Sequence, residues 1–174
     1  AALVLSSSLQ AQYNNNQAAT FTGTNSYIAV PNHPEVSPTT AITVEAWVKP
    51  TGNYTAQNTV YGKNYLTSTW FGIFTGGRLL FVPRGSNIAF FGRSANLIPA
   101  NVWTHIAGTY NGTTTSLYIN GVLDTSTTAI TGAIGTNTDS LFIGADRIGT
   151  TVNQFFYGSM DEVRVWGVAR SAAE

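Results

Sequence analysis

The chain has 174 residues, eight Lys and Arg, eight Asp and Glu, no cysteine and a formal net charge of zero. With 9% charged residues it lacks the basic footprint by which proteins grip nucleic acid or an anionic membrane surface, and it has no thiol for a disulfide or a thiolate metal site. The length suits one domain, since a chain of about 150 residues already buries roughly 68 to 70% of its unfolded surface.

No stretch approaches the ~18 to 20 apolar residues of a membrane-spanning helix, so no membrane insertion is expected. Abundant Thr, Asn, Ser and Gly give a neutral surface rich in hydroxyl and amide groups. Such a surface suits neutral polyhydroxy ligands, and equally a secreted β-sandwich without a ligand.

The first segment, Ala1-Ala2-Leu3-Val4-Leu5-Ser6-Ser7-Ser8-Leu9-Gln10-Ala11, reads as the tail of a signal peptide with Ala11 as the cleavage residue. Residues 1–11 are therefore expected to be a leader remnant and residues 12–174 one domain, a fragment of a longer secreted or cell-surface protein with further domains downstream. From there the apolar residues recur with a period of two. Ile42, Val44, Ala46 and Val48 alternate with Thr43, Glu45, Trp47 and Lys49; Leu117 and Ile119 alternate with Tyr118, and Leu141 and Ile143 with Phe142. This is the pattern of half-buried strands. Gly76-Gly77, Asn111-Gly112 and Asn120-Gly121 supply the turns, and no helical stripe of useful length interrupts them. The fold class is all-β, with antiparallel strands in a two-sheet sandwich.

The middle of the chain is dense in aromatics. In Trp70-Phe71-Gly72-Ile73-Phe74 the alternation sends Phe71 and Ile73 one way and Trp70 and Phe74 the other, so both faces are apolar. Such a strand is either buried twice or presents one aromatic row to solvent. In the second case Trp70, Tyr65 and Tyr61 would stack on sugar rings while Arg84 and Asn64 hydrogen-bond hydroxyls. These five residues form the predicted carbohydrate site.

Two histidines lack metal-ligand spacing, and no nucleophile elbow accompanies them. His105, inside a strand, is expected to be a hydrogen-bonded sheet residue. A retaining glycosidase needs two carboxylates about 5 to 5.5 Å apart. The acidic residues here are scattered, and the neighbours Asp161 and Glu162 should point to opposite faces of a strand. Glu162 and Arg164 share a face and are expected to form an ion pair with each other or with Lys49. No catalytic residue is assigned.

Three segments in order resemble the laminin-G-like jelly roll of the concanavalin A-like lectin/glucanase superfamily. They are Ala19-Thr20-Phe21-Thr22-Gly23 with Ile42 to Pro50, Trp103 to Gly112 with Leu117 to Gly121, and Met160 to Trp166 followed by Ala169 to Glu174. The resemblance covers residues 18–174. It implies a jelly-roll fold and a non-catalytic binding module, with a glycan or cell-surface polysaccharide as the leading partner. The alternatives are a structural spacer, a protein-contact domain, or an accessory module of a glycoside hydrolase. It also implies a calcium site, in which Asp161 would act with the Thr22-Gly23 turn. Thr22 stands where the family usually has an acidic residue, which leaves a weak site of one carboxylate, carbonyls and water.

Overall fold

A computed structural model describes Ala2–Leu3, residues 18–83 and residues 93–174. In chain order its strands are β1 (Ala2–Leu3), β2 (Ala19–Thr22), β3 (Ile28–Val30), β4 (Ile42–Pro50), β5 (Asn58–Gly62), β6 (Trp70–Phe74), β7 (Arg78–Val82) and β8 (Arg93–Leu97). They continue with β9 (Thr104–Tyr110), β10 (Thr115–Ile119), β11 (Val122–Thr127), β12 (Leu141–Ile143), β13 (Asp146–Ile148), β14 (Thr151–Asn153) and β15 (Tyr157–Trp166). One short 3-10 helix, Pro34–Val36, precedes β4.

The strands form two antiparallel sheets. The larger runs β1-β15-β4-β9-β10-β11, with β2 also paired to β15; the second runs β3-β12-β5-β6-β7-β8. A small β13-β14 ribbon lies beside them. The two-sheet jelly-roll sandwich expected from the period-two pattern is the observed fold. Ala2 and Leu3 pair with Trp166 and Val165, and the rest of the expected leader segment lies outside the described residues.

Period-two alternation explains the core. On β4, Ile42, Val44, Ala46 and Val48 are fully buried, while Glu45 is half-buried and Trp47 and Lys49 are exposed. Ile106, Tyr110, Leu117, Met160 and Val165 face inward from the same sheet and meet Val60, Phe71, Ile73, Leu79, Phe81, Leu141 and Ile143 of the other. Burying such a side chain contributes about 1.5 to 3 kcal/mol, so this interdigitated layer supplies the driving force for folding. Gly108 on β9 lies directly over Phe71 and Phe81, where a Cβ would fall 2.9 Å from each ring. Those two rings meet edge to face at 5.6 Å, a packing that the missing side chain makes possible.

At one end of the sandwich the two edge strands are joined by a side chain. Asp124 of β11 accepts hydrogen bonds from the backbone amides of Ala95 and Asn96 on β8, and from Asn96 Nδ2. One carboxylate thus ties together the outermost strands of the two sheets.

A bulge shapes β15. Asp161 pairs with Trp47 and Arg164 with Glu45, so Glu162 and Val163 together face Ala46. Glu162 sits in the left-handed region with φ 50°, and its amide donates to Asp161 Oδ1 at 2.8 Å. The extra residue re-aims the remainder of the strand. Strict alternation would have put Asp161 and Glu162 on opposite faces; instead Glu162 reaches Arg164 on the outer face, at 2.6 Å.

Gly144, just after β12, has φ 83° and faces the ring of Phe21, which packs on Phe156 at 6.0 Å. Gly144→Ala should cost about 2 to 5 kcal/mol, combining about 1 to 2 for the left-handed backbone with about 1 to 3 for overpacking. Urea unfolding should show a lower midpoint with an unchanged slope.

Candidate functional site

The outer face of the larger sheet carries ordered rows of polar and aromatic side chains. One row places Asp161, Trp47 and His105 side by side on β15, β4 and β9. The next is Arg164, Glu45, Ala107 and Tyr118, and a third is Trp166, Thr43, Thr109 and Ser116. Ala107, with a single methyl group, lies between Glu45 and Tyr118 and forms a dip in the face. The segment after β15 folds back beside it, because Thr43 Oγ1 donates to Val168 O at 2.8 Å and accepts from the Arg170 amide at 2.9 Å. The result is a groove of about 510 Å³, within the range of about 300 to 1,000 Å³ usual for small-ligand sites.

Glu45 is the centre of the groove. Its Oε1 accepts from the indole of Trp166 at 2.9 Å, and Oε2 lies 3.4 Å from His105 Nε2. Arg164 and Arg170 stand 4.0 and 3.9 Å from Oε1. The hydrogen bond from His105, then that from Trp166, with the charges of His105 and Arg164, outweigh burial and hold this carboxyl below its ordinary value. Glu45 is therefore an ionised acceptor and not a proton donor at neutral pH. Arg170 Cζ sits over Trp166, 3.9 Å from the ring centre, so that indole is covered on one face. Trp47 is open: it is 39% exposed and meets His105 edge to face at 5.5 Å.

The residues predicted to bind carbohydrate fall elsewhere. Tyr61 is fully buried and donates its hydroxyl to Val36 O at 3.0 Å, so it has no ring face for a sugar. Trp70 is 2% exposed, and its indole donates to Thr59 Oγ1 at 2.9 Å. It packs with Leu80 and Val82 in a second apolar cluster, against which Tyr65, Phe74 and Ile130 rest. The twice-apolar strand is thus buried twice. Tyr65 remains half-buried. Asn64 donates its side chain to Asp139 Oδ2 at 2.9 Å, which commits the amide within the fold, and Arg84 lies outside the described residues.

The predicted calcium ligands do not converge either. Thr22 pairs with Tyr157, whereas Asp161 lies four residues further along β15, about 13 Å at ~3.4 Å per residue. Gly23 turns with φ 80° against the Tyr157 ring. Thr22 Oγ1 contacts Thr24 and Ser26, and Asp161 closes the bulge. This residue set does not fit one cation. Among the described residues no group of three or more His, Cys, Asp or Glu could hold a metal, and no helix is long and apolar enough to cross a membrane.

Sequence reasoning passed over Glu45, Trp47 and Tyr118 as ordinary outward strand positions. The available signal was Glu45 itself, a carboxylate inside the most regular apolar strand of a chain with few charges.

Two antiparallel sheets packed face to face define the class of the protein as a jelly-roll β-sandwich. The chain belongs to the concanavalin A-like lectin/glucanases superfamily, whose laminin-G-like family model matches residues 22–174. Among solved structures it is similar to domain 4 of AbnA, a GH43 extracellular arabinanase from Geobacillus stearothermophilus, in complex with arabinotriose. The two are 25% identical over 90% of this chain and 73% of that one, with a TM-score of 0.69. A protein from Bacteroides ovatus, provisionally described as carbohydrate binding, is 24% identical over 90% of this chain, which spans 44% of its length, with a TM-score of 0.70. The heptameric SAP-like pentraxin from Limulus polyphemus shares the fold at 16% identity and a TM-score of 0.63, covering 88% of this chain and 76% of its own. No curated protein matches the chain.

Asp146 provides a second test of local electrostatics. It is fully buried and accepts from the amides of Asn64 at 2.8 Å and Tyr65 at 3.0 Å. Burial outweighs these bonds and pushes its carboxyl up to about 6 from an ordinary 3.8. A carboxyl raised on folding stabilises the fold below its unfolded value, and that contribution is lost as pH rises through about 6. Melting temperatures between about pH 7.5 and 4.5 should rise toward acid in the native chain and not in Asp146→Asn. Parallel curves would mean that Asp146 is ionised in the fold.

Proposed function

We propose that this chain is a non-catalytic carbohydrate-binding module of a secreted or cell-surface protein, and that it binds glycan in the groove around Glu45. The observation that carries this reading is the groove itself. The half-buried ring of Tyr118 lines a floor of hydrogen-bonding groups, and the exposed indole of Trp47 stands outside that lining, two positions along β4 from Glu45 and opposite His105, which does line it. Aromatic rings take the apolar faces of sugars while fixed acceptors and donors take their hydroxyls. The likeness to an arabinanase domain whose structure holds arabinotriose supports the ligand class.

The proposal carries no calcium requirement, because Asp161, Thr22 and Gly23 lie apart. Further domains of the same polypeptide, including a glycoside hydrolase, fit such an accessory role.

Isothermal titration against arabinan, galactan, β-glucan and mannan oligosaccharides, with calcium and again with chelator, tests the reading. Trp47→Ala and Tyr118→Ala should each weaken binding on the order of tenfold with the fold kept. Trp70→Ala should instead cost about 3 to 5 kcal/mol of stability. Absence of binding to every oligosaccharide by the folded chain would favour a spacer or protein-contact role.

A further inference from the structure

Every charge that lines the groove is already answered from within the protein. Arg164 lies 2.6 Å from Glu162 and 4.0 Å from Glu45. Arg170 stacks on Trp166, donates to the carbonyl oxygen of Glu174 at 2.9 Å and stands 3.9 Å from Glu45. Two guanidiniums thus stand beside two carboxylates, those of Glu45 and Glu162, while the Glu174 carboxylate accepts from the amide and hydroxyl of Ser171. Asp161 adds another carboxylate next to Trp47. Neither guanidinium is left as the free planar fork that recognises a carboxylate in two parallel hydrogen bonds.

Glu45 has the opposite kind of capacity. Its Oε1 is taken by the Trp166 indole, but Oε2 has only the longer 3.4 Å contact with His105. A carboxylate oxygen has more than one lone pair to offer. Oε2 therefore has room to accept from a ligand hydroxyl, and a charge-assisted bond of this kind is stronger than a neutral one. A ligand carboxylate at the same place would meet like charge in a partly desolvated site.

We propose, resting on the carbohydrate-binding reading above, that the groove selects uncharged glycans and rejects uronate-bearing ones, with Glu45 as the specificity-determining residue that accepts a sugar hydroxyl through Oε2. Arg164 and Arg170 act as positioning residues, whose guanidiniums stand 4.0 and 3.9 Å from Oε1.

The experiment uses the whole chain and matched oligosaccharides that differ only in charge: galactan against galacturonan, and β-glucan against glucuronan, each measured by titration calorimetry at low salt. The neutral member should bind, and its acidic counterpart should bind at least about tenfold more weakly. Glu45→Gln, which keeps an acceptor for the Trp166 indole, should narrow that ratio severalfold by weakening the neutral ligand and admitting the acidic one. A salt series on the native chain gives an independent reading should the variant lose stability. Raising ionic strength from about 0.01 M to about 1 M shortens the Debye length from about 30 to about 3 Å, and the discrimination should shrink with it. Equal or tighter binding of the uronates, or a ratio unmoved by both Glu45→Gln and salt, would overturn the inference while leaving the carbohydrate reading in place. Failure to bind any neutral or acidic sugar would overturn both.

Discussion

The ladder between β4 and β15 is the constraint on which the rest of this structure depends. It joins the regular apolar strand of the first half of the chain to the closing strand, and β15 in turn holds β1 and β2 along its other edge. Inward residues on both strands fill the core, and their outward residues build the groove. Because side chains alternate strictly along a strand, a slip of one residue would exchange core and groove at once. Within this ladder the alternation is broken at the bulge around Glu162. Without the extra residue, Arg164 would not face Glu45.

Glu45 shows how a charge is kept in a sheet that has few others. Its side chain is only 14% exposed, and a carboxylate so placed would ordinarily tend toward its neutral form. Imidazole, indole and two guanidiniums come to it from β9, β15 and the segment after β15. That segment is fixed in turn by Thr43, the neighbour of Glu45 two positions earlier on β4. Two neighbouring outward positions of β4 thus organise the groove: Thr43 anchors its wall and Glu45 its floor.

Much of the fold was legible in the sequence because its determinants are local and periodic. The inward set Ile42, Val44, Ala46 and Val48, the split of Phe71 and Ile73 from Trp70 and Phe74, and the Asn120-Gly121 turn, with φ 51° and 76°, all derive from strand geometry and turn chemistry. The site was much less legible. Trp70 and Tyr61 look like ligand aromatics in a linear reading, but only the second apolar layer of Trp70, Leu80 and Val82, and the reach of the Tyr61 hydroxyl to Val36, decide that they are buried. Trp47 and Tyr118 are 71 positions apart in the chain and share a surface only through the β4-β9-β10 order. The failure of Asp161 to meet Thr22 is likewise a matter of register, which no spacing in the chain reveals.

The clamp by Asp124 has a bearing on how such a domain lives beside others. An edge strand with free amides is a template on which a neighbouring chain can add its own strand. At β8 two of those amides are already occupied by a carboxylate, and an approaching backbone would have to displace a charged acceptor before it could pair. Sandwiches of this kind can then stand close together at high local density, in tandem or on a crowded surface, without zipping edge to edge. Their outer faces remain free for whatever they meet.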